Sequence, residues 1–410
     1  MNCIVQLERK KKERDPKERL FAIRFRGIIE SDRSSKRCGY AEEQPMNRAI
    51  KCRIDPTREQ RVLFEKTFGC CRFLYNRMLT DRLTGEYMGE AVRPRPARYK
   101  KEFPWLKEVD SLALTNVQLD LEAAYKRHHK DSKTGYPRYK TKHHSRRSYT
   151  TNVVNNNIRI EGKKIRLPKA GMVRIKVHRE IPEGWKLKSV TVSMEGSGKY
   201  YAALLFEVPG RESQAEGTDR EKEYLGIDFA MSGLAVFSDG TRAEYPGYYR
   251  IAEKKLAREQ RKLSHCEKGS RNYEKEKRRV AACHEKVKNQ RKDFLHKLSR
   301  KLADEYDVIG VEDIDMKVMS RSMHFGKSVM DDGYGMFRSM LEYKLSERGK
   351  ELVKVGRFFP SSKRCSCCGE IKEDLKLSDR IFICECGNVL DRDVNAAINI
   401  KMEAMRLKAS

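Results

Sequence analysis

No stretch of this 410-residue sequence approaches the ~20 consecutive apolar residues of a membrane span, and no apolar signal segment follows Met1. Membrane insertion and secretion are thereby set aside, and a cytoplasmic location is expected. Acidic charge is scarce beside basic charge: 59 Asp and Glu face 88 Lys and Arg, a formal net charge of +29. That excess is far larger than solubility needs, so a polyanionic partner is expected rather than a small-molecule substrate. Also missing is the His-hydrophobe-His pair with a nearby Tyr nucleophile that single-strand transposases use, which argues against strand joining by that chemistry. Without a secretory signal, the 12 cysteines are not expected to form disulfides. Metal ligation by some and reduced thiols for the rest, such as Cys70, Cys71, Cys266 and Cys283, is the expectation.

What is present concentrates in residues 360–400, PSSKRCSCCGEIKEDLKLSDRIFICECGNVLDRDVNAAINI. Cys365 and Cys368 form one CxxC corner, and fifteen residues later Cys384 and Cys386 form a tighter one, close to the spacing of a tetrathiolate zinc site. The CSCC run offers three thiols, so Cys367 competes for a place in the first corner. Four thiolates leave no open position for a substrate, so such a zinc is structural. Directly behind it comes DRDVNAA, with Asp391 and Asp393 at the expected start of a helix. Two short apolar strands also end in acids: YLGID carries Asp228, and VIGVE carries Glu312, which is followed by Asp313 and Asp315. Carboxylates gathered in this way suit hard divalent ions, which take oxygen ligands, and such ions drive phosphodiester chemistry.

The order of acids on strand, strand and helix, with the PSSK, CxxCG and DRDVNAAINI strings, resembles the TnpB family: OrfB-type, RNA-guided nucleases of insertion sequences, relatives of the compact type V CRISPR effectors. The resemblance runs from about residue 46 to residue 405. It implies a RuvC-like centre of Asp228, Glu312 and Asp393 holding magnesium or manganese, with Asp391 left to cap or form ion pairs. It selects Cys365 and Cys368 for the first zinc corner, although the second corner, CECG, is one residue shorter than the commoner form. It also implies a guide RNA from the transposon end and a double-stranded target DNA beside a short flanking motif, where pairing reads sequence and protein reads the motif. Such a protein is cytoplasmic, and nucleoid-associated when bound to DNA.

A multidomain α+β chain is therefore expected. Residues 1–45 are a polar extension with one candidate strand, LFAIRFRGII. Residues 46–56 supply a first strand of a wedge domain, and 57–134 a helical recognition lobe, opened by a Thr57–Gln60 capping box and carrying Leu63, Phe64, Phe68, Phe73, Leu74 and Met78 inward. A second helix carries Val117, Leu119, Leu121 and Tyr125 inward. Residues 135–215 comprise a basic, aromatic connector and a small antiparallel β-barrel. In the connector Arg138, Lys140, Lys142, Arg146 and Arg147 alternate with Tyr136, Tyr139 and Tyr149, suited to phosphates and stacked bases.

After a polar linker, residues 221–359 open the RuvC-like nuclease domain, with a basic helical hairpin at 251–305 that offers Arg291 and Lys292 to nucleic acid. A core-spaced helix with Met336, Phe337, Met340, Leu341 and Leu345 follows. Residues 360–389 are the zinc ribbon, and 390–410 complete the nuclease domain. The leading reading is an RNA-guided DNA endonuclease. The alternative is a guide-RNA-dependent DNA-binding repressor without cleavage, which would be expected to lack at least one of the three acids.

Overall fold

A computed structural model describes residues 46–131, 133–209, 221–230, 233–314, 333–376 and 379–409. The extension at 1–45, most of the linker near 210–220, Ser232 and Asp315 lie outside the described residues. No helix among them is long and apolar enough to cross a membrane. They build two hydrophobic cores within one compact unit.

The first core lies under a seven-stranded antiparallel sheet. Its strands are β1 (Met46–Asp55), β2 (Arg147–Asn152), β3 (Arg159–Glu161), β4 (Lys164–Leu167), β5 (Gly171–Lys176), β6 (Lys186–Met194) and β7 (Tyr200–Val208), in the spatial order β2-β6-β7-β1-β5-β4-β3. Among the described residues β2 and β3 do not pair with each other, so the sheet is open where a closed barrel was expected. The connector contributes to it: Arg147–Asn152 is the edge strand β2, and Tyr149 points into the core.

Helices α1 (Arg58–Met88) and α3 (Ser111–Lys130) pack on this sheet, and the short α2 (Pro96–Glu102) packs against α3. The start of α1 is fixed by Thr57, whose hydroxyl accepts from the Gln60 amide while the Gln60 side chain accepts from the Thr57 amide. Its Phe64 packs on Tyr149 and Tyr200, and Phe68 on Tyr149. On α3, Val117, Leu121 and Tyr125 repeat every fourth residue and are buried. Leu119 was expected inward but is 50% exposed. At ~100° per residue it stands about 200° from Val117, on the opposite side of the helix.

The second core holds a four-stranded sheet: β8 (Tyr224–Ala230), β9 (Leu234–Phe237), β10 (Val308–Glu312) and β11 (Glu351–Val355), ordered β11-β10-β8-β9. β10 runs parallel to both β8 and β11, and β9 returns antiparallel to β8. One face is covered by the end of α5 (Arg271–Glu305), which follows α4 (Tyr248–Ser264), and by α6 (Tyr334–Ser346). Met336 on α6, expected in the core, is 38% exposed, while Phe337, Met340, Leu341 and Leu345 are buried. On the other face lies α7 (Arg392–Ala409), reached from β11 through the small hairpin β12 (Ile381–Ile383) and β13 (Val389–Asp391).

Two glycines decide how close α7 comes. A Cβ on Gly226 would meet the Ala397 carbonyl oxygen at 1.9 Å, and one on Gly310 would meet Ala404 Cβ at 2.9 Å. These glycines are register partners on β8 and β10, and the Ala397 and Ala404 facing them are buried. Helix backbone therefore rests almost directly on sheet backbone.

Candidate active site and metal centre

Side chains two apart on a strand share a face. Asp228 follows Gly226 by two residues and Glu312 follows Gly310 by two, so both acids project from the α7 face, one residue beyond the paired Ile227 and Val311. Asp393, in the first turn of α7, lies near enough for its charge to act on Asp228. Asp228 is 9% exposed. Burial, then the charges of Glu312 and Asp393, push its carboxyl well above the usual range. Burial also pushes Glu312 up, opposed by a hydrogen bond that the Ser361 hydroxyl donates to Glu312 Oε1. The basic group facing Asp393 is Arg392, whose Nη2 lies 3.5 Å from Asp393 Oδ1. A crowded, desolvated set of carboxylates of this kind has the composition and charge to accept hard divalent cations.

Neighbouring acids are engaged elsewhere. Asp391 accepts from the Asp393 and Val394 amides and pairs with Arg242 at 2.9 Å, so it both caps α7 and forms an ion pair. Asp313 faces Arg338 of α6 at 3.3 Å. Beneath the sheet, Tyr334 packs on Phe229 with ring centroids 4.5 Å apart, and among the described residues its buried hydroxyl has no hydrogen-bond partner.

Cys365, Cys368, Cys384 and Cys386 bring their sulfur atoms within 4.8 Å of one another. The Cys365–Cys386 and Cys368–Cys384 separations are 3.7 and 3.6 Å. A tetrahedron with metal–sulfur bonds of ~2.3 Å, the zinc–thiolate length, has edges of ~3.8 Å, so the four thiols fit such an ion. Cys367 is exposed and stands outside the four.

The expected nucleic-acid residues are dispersed. Arg138, Lys142, Arg146, Arg147 and Tyr139 are exposed along the connector and the start of β2. Lys140 instead folds its ammonium 3.8 Å from the Tyr75 ring centroid, and burial pushes its pKa down. The Tyr136 hydroxyl donates to Glu86. Arg291 is directed at the Tyr245 hydroxyl, 3.4 Å away. Lys292 is exposed on the wall of a groove of about 1010 Å³ between β1 and helices α5 and α6, where Arg48, Lys51, Arg179 and Arg300 also stand.

Several residues of the centre were not singled out from the sequence. The twofold pattern Gly-x-acid, Gly226-Ile227-Asp228 and Gly310-Val311-Glu312, signals a helix crossing directly over both strands. Asn395 and Asn399, one turn apart on an otherwise apolar helix face, are buried and hold the loop that enters the thiol cluster. Ser361 belongs to PSSK, but its contact with Glu312 needs the fold.

Comparison with known proteins follows this geometry. A family described as "Probable transposase" matches residues 205–323, a "Cas12f1-like, TNB domain" matches 334–400, and a "Helix-turn-helix domain" matches 46–84. Within that last match the described chain is one strand and most of one continuous helix. A protein of Streptomyces pristinaespiralis called "Putative RNA-guided DNA endonuclease" is 35% identical over 87% of this chain and 89% of its own length. The chain belongs to the TnpB family. A second TnpB-family relative, "Putative RNA-guided DNA endonuclease InsQ" of Escherichia coli K12, is 30% identical over 86% of this chain and 91% of its own. Among solved structures, the cryo-EM structure of a Cas12f1-sgRNA-target DNA complex aligns with a TM-score of 0.53 at 15% identity, covering 87% of this chain and 99% of that one. It shares the fold.

Proposed function

We propose that this chain is an RNA-guided, divalent-metal-dependent DNA endonuclease of a transposable element, cutting beside a short flanking motif at sites matched by a guide RNA. The observation that carries the reading is that the charges of Glu312 on β10 and Asp393 on α7 both act on the buried Asp228 of β8, in a chain whose relatives are named for this activity. The four-stranded sheet and its helices are then the RuvC-type, RNase H-like nuclease centre, and the four-thiol hairpin is a structural zinc ribbon. Guide RNA and target DNA answer the +29 charge.

Phosphodiester hydrolysis needs an activated water and a stabilised leaving oxygen, and two magnesium or manganese ions at Asp228, Glu312 and Asp393 would supply both. Burial and the charges of Glu312 and Asp393 raise the Asp228 pKa, and a bound cation would oppose that shift. Glu312 is oriented by Ser361, and Asp393 by the first turn of α7. No side chain acts as nucleophile. With one acid set among the described residues, both DNA strands pass through it in turn.

The test is cleavage of a plasmid library, with a fixed target beside randomised flanking bases, by protein purified with RNA from its own locus. Magnesium-dependent, guide-dependent cutting beside one enriched flank is expected. Asp228→Ala and Asp393→Ala should abolish cutting and keep RNA and DNA binding. Binding of one flank without cutting by the native protein replaces this reading with the repressor; cutting that ignores the guide leaves only a nuclease.

A further inference from the structure

Glu312 is the last residue of β10, in register with Val355 of β11, and a glutamate has three rotatable bonds to order. The residue that orders it comes from beyond the next strand. Ser361 is 4% exposed and donates its hydroxyl to Glu312 Oε1. It sits in a tight turn in which the Lys363 and Arg364 amides both donate to the Pro360 carbonyl, at 3.1 and 3.0 Å.

That turn is gripped by the helix that carries Asp393. Asn399 Nδ2 donates to the Ser361 carbonyl at 2.9 Å and to the Arg364 carbonyl at 2.6 Å. Asn395 Nδ2 donates to the same Arg364 carbonyl at 2.8 Å, and Asn395 Oδ1 accepts from the Ser366 amide at 3.0 Å. Both asparagines are buried, and Cys365 of the thiol cluster lies between the gripped Arg364 and Ser366. A continuous chain of contacts results: Glu312 to Ser361, Ser361 to Asn399, and Asn399 back along α7 to the helix turn that bears Asp393. It links the elements that carry two of the three acids.

We propose that Ser361 is the positioning residue of the acid centre, fixing the Glu312 carboxylate for metal binding, with Asn399 locking the Ser361 backbone to the helix that bears Asp393. The proposal deepens the nuclease reading and rests on it. Groups that orient metal-binding carboxylates typically account for 10–100-fold in metal affinity.

The experiment is Mn²⁺ titration of the full-length chain, native and Ser361→Ala, with Asp228→Ala as the reference that lacks the centre. Thermal midpoints without Mn²⁺ and bound zinc are measured on the same samples. The expected result is a Mn²⁺ dissociation constant raised about tenfold or more in Ser361→Ala, with an unchanged thermal midpoint and zinc content. Mn²⁺ affinity within twofold of native overturns the assignment. So does weaker binding accompanied by a lowered thermal midpoint or lost zinc, which makes Ser361 a scaffold residue. If native protein and Asp228→Ala titrate identically, the metal-centre reading itself falls, and the proposal with it.

Discussion

Replacing Gly226 by Ala tests whether the close approach of α7 to β8 sets the acid centre. The added methyl would stand 1.9 Å from the Ala397 carbonyl oxygen, 2.6 Å from the Lys401 amide nitrogen and 3.0 Å from Lys401 Cβ. The two nearest are backbone atoms of a helix packed on the sheet, so no rotamer change relieves the clash. Reaching even a 3.0 Å contact requires about 1.1 Å of displacement between helix and strand. Ala397 lies one turn beyond Asp393, and Gly226 two residues before Asp228, so that displacement falls on the separation of the two acids. Overpacking of this kind costs about 1–3 kcal/mol of stability, and a misplacement of ~1 Å at a reacting centre costs ~100-fold in rate.

The assay is guide-directed, magnesium-dependent cleavage alongside chemical denaturation. Gly69→Ala serves as the opposite control: Gly69 lies within α1 with open space where its Cβ would go. That substitution should stabilise by about 1 kcal/mol through helix propensity alone and leave cutting intact. Cleavage by Gly226→Ala within threefold of native, at native stability, would refute the claim that helix-to-sheet contact spaces the acids.

Three further outcomes follow from the same geometry. Asp228→Asn should stabilise the metal-free protein at neutral pH: the folded-state pKa of Asp228 is raised, so its stabilising proton is fully present below the ordinary value near ~3.9 and is lost as pH rises through the folded value, at up to about 1.4 kcal/mol per pH unit. Thermal midpoints of the two proteins, compared from pH 4 to 8 with chelator present, should therefore diverge with rising pH, and parallel curves would contradict the burial argument. Cys384→Ser should lower bound zinc below one equivalent and reduce cleavage even with magnesium restored, because the loop that orients Glu312 leads directly into the thiol cluster; elemental analysis and cleavage on one preparation check it. Tyr334→Phe removes a buried hydroxyl that has no partner among the described residues, so denaturation should show stability unchanged or raised by up to ~1 kcal/mol.

Local chemistry was legible in the sequence wherever one stretch of chain contains its own cause. The capping box at Thr57 and Gln60, the apolar strands that carry Asp228 and Glu312, and the four cysteines are short-range signals, and the described elements form there, although β8 runs on to Ala230 where the sequence predicts it to end at Asp228. Periodicity read less well where a segment lacks a strongly one-sided pattern, as Leu119 and Met336 show. The edge strand at Arg147–Asn152 was hidden in a basic, aromatic run because its partner, β6, lies about forty residues away and supplies the ladder that makes it a strand.

What the sequence by itself determined is therefore the inventory: a strongly basic TnpB-family chain with three acids and four metal-spaced thiols. What only the tertiary structure decided is how these parts are held. Helix α7 rests on two glycines, Asn395 and Asn399 grip the loop beside the thiol cluster, and Ser361 reaches Glu312 across forty-nine residues of chain. The reason is physical: a close approach or a buried hydrogen bond belongs to two segments at once, and neither segment states its partner.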